Sequence, residues 1–128
     1  MFAHIQLGAR DVDRLVPFYD AVLAELDIGR TSHSPEAGFV WSKGGRWPQF
    51  VIREPYDGLP ASSGNGTQVS FLADSRNAVE RAWDTAVRSG GSDEGGPGLR
   101  TRYAPDFFAA YCRDPEGNKL CFVFTDTA

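Results

Sequence analysis

Four residues of this chain combine a chemically capable side chain with a position that invites comparison: His4, Gln49, Gln68 and Cys121. A histidine titrates near neutrality and can bind a metal or move a proton, and a cysteine thiolate is both a nucleophile and a zinc ligand. The two glutamines offer neutral donors and acceptors. Together the four could hold a divalent ion, run thiol chemistry or line a polar pocket. What the set lacks is a carboxylate. Mg, Mn and Fe prefer anionic oxygen, which disfavours an iron dioxygenase, whereas zinc stays open through His4 and Cys121 with neutral amides completing a weak site. A thiol nucleophile would need a lowered pKa and an oriented histidine, and no residue that would orient His4 is evident.

A repeat makes these positions comparable. In "AHIQLGA" (3 to 9), Ile5, Leu7 and Ala9 alternate with His4 and Gln6, as in a half-buried strand. Leu15, Phe18, Tyr19, Val22, Leu23 and Leu26 then form one helical stripe, which Asp11 or Asp13 can cap and which tolerates Pro17 only near its first turn. "TQVSFLADSRNAVERAWDTAV" (67 to 87) repeats strand and helix in one register, so that Gln68 corresponds to His4 and Val79 to Leu15. "SKGGRWPQFVI" (42 to 52) and "DPEGNKLCFVF" (114 to 124) each run from a glycine-bearing turn into a strand, and aligning Gly45 with Gly117 makes Cys121 the counterpart of Gln49. The expected fold is α+β, with two βαβββ modules. "RTSHSPEAGFVW" and "RTRYAPDFFAAYCR" supply the remaining strands, while "RSGGSDEGGPGLR" (88 to 100) reads as too rich in glycine for a regular element. One domain spans 1–128, with module one at about 1–56, a linker at about 57–66 and module two at about 67–128.

In each module the apolar strand face should pack beneath the helix, leaving the opposite face for function. Strand parity assigns that face His4, Gln6, Trp47, Gln49, Val51, Gln68, Ser70, Leu72 and Cys121. Pairing Arg113 with Asn118 across the last turn adds Phe108 and places Cys112 diagonal to Cys121. The expected product is a cup with Gln6, Gln49, Gln68 and Ser70 as hydrogen-bonding groups and Trp47, Phe108, Leu72 and Val51 as walls, in which Cys121 is a lining residue. Arg100, Arg102 and Tyr103, after the glycine-rich segment, are placed to close over a ligand or attract an acidic one.

"HIQL" with "DVDRLVPFYDAVL", then "TQVSFLADSRNAVERAW", then "YCRDPEGNKLCFV" resemble the vicinal oxygen chelate superfamily, which includes glyoxalase I, bleomycin-resistance proteins and extradiol dioxygenases. The last segment is similar to the family's Asp-Pro-x-Gly-Asn closing hairpin, and the resemblance covers nearly the whole chain. It implies a curved, partly open mixed-sheet barrel with helices outside, and a homodimer that pairs modules within or between chains. It also implies that His4, Gln49, Gln68 and Cys121 occupy the positions that hold a divalent ion in metal-using members. The sequence departs from those members, where a glutamate usually stands at the place of Cys121 and a histidine is common at that of Gln68.

The bulk properties narrow the setting. With 128 residues, 41% hydrophobic and 23% charged, the chain suits one folded domain, and its net charge of -4 with scattered Lys and Arg argues against a nucleic-acid partner. No basic segment leads into an apolar run and no apolar stretch is long enough to span a bilayer, so a cytoplasmic location without a membrane partner is expected. The expected function is binding of a small organic molecule without a tight catalytic metal, by sequestration or by metal-free catalysis. The alternative is a lactoylglutathione-lyase-like, divalent-metal-dependent lyase or isomerase, with His4 as ligand and as the best candidate for acid-base work.

Overall fold

The computed structural model describes residues 1–127. Module one runs β1 (His4–Gly8), α1 (Val12–Ala24), β2 (Gly29–Ser34), β3 (Gly38–Ser42) and β4 (Gln49–Arg53), and module two runs β5 (Gln68–Leu72), α2 (Arg76–Arg88), β6 (Ser92–Leu99), β7 (Phe108–Arg113) and β8 (Lys119–Phe124). The strands form two four-stranded mixed sheets, ordered β1-β4-β3-β2 and β5-β8-β7-β6. In each, the first strand pairs with the last in parallel and the remaining pairs are antiparallel.

Each helix starts where a short polar side chain replaces a missing backbone acceptor. The Asp11 carboxylate accepts from the Arg14 N–H at 3.3 Å and the Ser75 hydroxyl from the Ala78 N–H at 3.0 Å. The α1 stripe expected from the periodicity is buried throughout. Pro17 falls in the second turn instead of the first, on the exposed side, where water can take the carbonyl its missing N–H leaves free. On α2, Ala78, Val79, Ala82 and Ala86 are buried, and these small residues let the helix sit close to its sheet. Residues of both modules share one core, with the Phe50 ring of β4 packed edge-on to Phe71 of β5 at 5.2 Å.

The turn between β7 and β8 ties the modules together. The buried Asp114 carboxylate accepts from the Tyr19 hydroxyl of α1 at 2.6 Å, the Asn118 amide at 2.7 Å and the backbone N–H groups of Glu116 and Asn118 at 2.8 and 3.1 Å. The buried Glu116 carboxylate reaches the start of α1 and accepts from the backbone N–H groups of Arg10 and Asp11 at 2.7 and 2.8 Å. Those donors have no partner inside the helix, and a carboxylate suits the positive end of the helix dipole.

Two expectations from sequence are corrected here. The glycine-rich segment is not irregular: β6 lies within it, accommodated by register shifts between Asp93 and Gly95 and between Gly95 and Gly98, while residues 101–107 form the loop. Arg113 pairs with Lys119, not with Asn118, because the Asp114 N–H donates to the Asn118 carbonyl and closes the turn one residue earlier. A one-residue slip exchanges the faces of a strand. Phe108, Ala110 and Cys112 therefore join the helix-side core, and Ala109 and Tyr111 take the opposite face.

Asp114→Ala would leave a phenol, an amide and two backbone donors without their acceptor, at a cost of about 3 kcal/mol or more, against about 1 kcal/mol for Tyr19→Phe. Urea unfolding of both variants checks this; equal losses would show that the carboxylate serves Tyr19 alone.

Candidate functional site

The helix-free face of sheet one carries His4 opposite Gln49 and Gln6 opposite Val51. That of sheet two carries Gln68 opposite Lys119, Ser70 opposite Cys121 and Leu72 opposite Val123, with Tyr111 of β7 beside Cys121. His4, Gln6, Gln68 and Ser70 are exposed, and the Gln68 amide donates to the Ser70 hydroxyl at 3.1 Å. β5 thus alternates as expected, with Val69 and Phe71 turned into the core, and β1 does so at Leu7 while Ile5 remains exposed.

The structure brings His4 to Gln49, and Cys121 to Ser70. Among the described residues no ladder or side-chain hydrogen bond joins one pair to the other. The ladders also revise the counterparts. Because Gln68 pairs with Lys119, the residue matching Gln49 is Lys119, and the residue matching Cys121 is Val51.

Of the other expected lining residues, Trp47 lies in the loop before β4, half exposed, with the Arg46 guanidinium 4.8 Å from its ring centre. Phe108 is in the core with Arg76 over its ring at 5.0 Å. Arg102 stacks on Tyr103 at 5.1 Å in the exposed loop after β6, and the Tyr103 ring in turn packs on Phe107, which flanks the Cys121 cluster. Tyr111 and Lys119 were not placed on this face from the strand pattern, whereas Arg100 was among the residues expected to approach a ligand. The Arg100 guanidinium and the Lys119 ammonium lie 5.4 and 5.7 Å from the centre of the Tyr111 ring. The spacing of Asp114 and Asn118, which sets the turn, is the signal that would have found them.

The Cys121 thiol is buried in a small cluster with Ala109 and Val123, flanked by Phe107 and Tyr111. Burial raises its pKa above the ordinary thiol range, against a partial lowering by the Ser70 and Tyr111 hydroxyls and the charges of Arg100 and Lys119. Cys112, on the other face, is pushed up to about 12, chiefly by burial. Both are free thiols with opposed orientations.

The donor set does not fit a tight divalent site. With Val51 as the counterpart of Cys121, the corresponding positions are an imidazole, an aliphatic chain, an amide and a single thiol. Among the described residues no three His, Cys, Asp or Glu side chains converge so as to hold an ion. An open cleft of about 420 Å³ lies where the linker crosses the end of β1, lined by Gln6, Gly8, Tyr56 and Ala61 among others.

Two modules of this topology, each with a polar helix-free face, are the architecture that the sequence motifs implied. Residues 1–122 match the model of the glyoxalase/bleomycin resistance protein/dioxygenase superfamily. The chain belongs to that superfamily. A glyoxalase/bleomycin resistance protein from Albidiferax ferrireducens is 32% identical over 97% of this chain and 98% of its own, with a TM-score of 0.84. A glyoxalase-related enzyme from Fulvimarina pelagi shares the fold at 16% identity and a TM-score of 0.75, over 98% of this chain and 88% of its own. A family enzyme from Burkholderia phytofirmans does so at 17% and 0.71, over 96% and 97% of the two chains. None of the curated proteins matches this superfamily member. Among its described residues, no helix is long and apolar enough to cross a membrane.

A thiol with a raised pKa is mostly protonated at neutral pH and a poor nucleophile. Iodoacetamide should therefore alkylate Cys121 more slowly than free cysteine at pH 7.4, with a rate that is still rising with pH where that of free cysteine has levelled off, as read by mass spectrometry of the Cys112→Ala variant. Fast labelling with a midpoint below pH 8 would restore the nucleophile reading.

Proposed function

We propose that this superfamily member binds a small organic molecule against the helix-free faces of its sheets, without a tight catalytic metal, and acts in the cytoplasm as a homodimer. The observation that carries the reading is the composition of those faces. On sheet two Leu72, 64% exposed, shares the face with Gln68 and Ser70, on sheet one Gln6 and Gln49 share it, with Trp47, 50% exposed, in the loop leading into β4, and the core lies on the other side of both sheets. A few polar groups set among apolar surface are the makings of a ligand site. His4, Gln6, Gln49, Gln68, Ser70 and Cys121 are its lining residues.

The homodimer has its own support. β1 and β5 each have one hydrogen-bonded neighbour, and Ile5, on the helix side of β1, remains 38% exposed. A second copy would cover these edges and enclose the open faces.

The test is elemental analysis before and after exposure to Zn, Ni, Mn and Fe(II), beside sedimentation at tens of micromolar. The expected protein is a dimer that keeps far less than one ion per chain, and His4→Ala leaves that content unchanged. One ion per chain, lost in His4→Ala, would favour the metal-dependent lyase or isomerase instead; a monomer would remove the shared site.

A further inference from the structure

Arg100 and Lys119 both approach the Tyr111 ring, and neither has an ion-pair partner among the described residues. Arg113, their neighbour on β7, is neutralised by Glu94 and donates to the Gly117 carbonyl at 2.8 Å. Two like charges held near one ring, both partly buried, repel each other and are incompletely hydrated. In a chain of net charge -4 this is a local reversal of sign.

The backbone is shaped around the arginine. A Cβ on Gly95 would come within 3.2 Å of one Arg100 guanidinium nitrogen and one on Gly98 within 3.1 Å of the other. The guanidinium also donates to the Gly96 carbonyl at 2.7 Å. The glycines of β6 clear a cradle that lays a positive charge near Tyr111, two rungs from Gln68 and next to Ser70 and Cys121.

We infer that the ligand of this face is an organic anion, a small molecule whose carboxylate, sulfonate or phosphate group is attracted by Arg100 and Lys119 beside the Tyr111 ring. The inference rests on the ligand-binding reading above and narrows it to one class. Arg100 supplies planar N–H donors, Lys119 a point charge, and Ser70 and Gln68 neutral hydrogen bonds. A cationic ligand would meet two charges of its own sign on this wall.

Two fluorescent probes that differ in one group test it. 1-Anilinonaphthalene-8-sulfonate is an anion, and N-phenyl-1-naphthylamine has the same ring system without the sulfonate. The wild-type chain should bind the sulfonate about tenfold more tightly than the neutral probe, and less tightly as salt is added. Arg100→Gln/Lys119→Gln should lose about that tenfold for the sulfonate and none for the neutral probe. Lys119→Arg should retain it, and Gly98→Ala, which keeps both charges but crowds the cradle, should lose part of it. Far-UV circular dichroism establishes that each variant is folded, and Gly98→Ala and Lys119→Gln alone carry the test where the double variant does not fold. Equal affinity for the two probes, unchanged in the charge variants, would overturn the anion class and leave the ligand site standing. No binding of either probe to the wild-type chain would overturn both readings.

Discussion

Two buried carboxylates on one turn hold this fold in the form that gives its faces their chemistry. Asp114 and Glu116 belong to module two, yet Asp114 is bonded to Tyr19 and Glu116 to the backbone at the start of α1. A buried carboxylate is tolerable only when hydrogen bonds replace its water, and here backbone and side-chain donors do so. The same bonds close the turn so that Arg113 faces Lys119, and that register decides which side of β7 looks into the core. The Asp-Pro-x-Gly-Asn segment is therefore an intermodule fastening. Its influence on the site is indirect: it keeps Tyr111, and not Phe108, beside Cys121.

From that register follows a division of labour between the two sides of each sheet. One side supplies the aromatic and aliphatic core, in which Tyr19, Trp41, Phe50, Phe71 and Phe122 pack ring against ring. The other side of β1 and β5 keeps amides, a hydroxyl and an imidazole in contact with solvent. The two cysteines report the division. Cys112 lies in the core, whereas Cys121 lies beneath a polar surface whose hydroxyls and cations partly offset the effect of burial.

How much of this was legible in the sequence depended on whether the deciding interaction was local. The α1 stripe from Leu15 to Leu26 and the alternation in β5, and in β1 at Leu7, follow from periodicity, and they stand as expected because each element had one face to bury. The pairing of β7 with β8 turned on one hydrogen bond between Asp114 and Asn118, and a one-residue error there moved Phe108 to the wrong side. β6 escaped notice because Gly95 and Gly98 give a strand neither side-chain alternation nor propensity, and bulges interrupt its ladder. The repeat itself was sound at its strand-helix half and two residues out at its closing strand, which is why Lys119 was overlooked.

That misplaced strand matters most for the chemistry. Aligned by sequence, the four comparable positions included two amides and could pass for a depleted metal site. Aligned by ladder, one position is Val51, whose side chain offers no lone pair, and Lys119 adds a cation that would repel an incoming ion. Sheet two carries positive charge there, from Lys119 on β8 and from Arg100 over the glycines of β6. A scaffold whose fold is maintained by carboxylates at the β7-β8 turn leaves the chemistry of the face independent of its stability, because no residue that fastens the modules is among those that line the face.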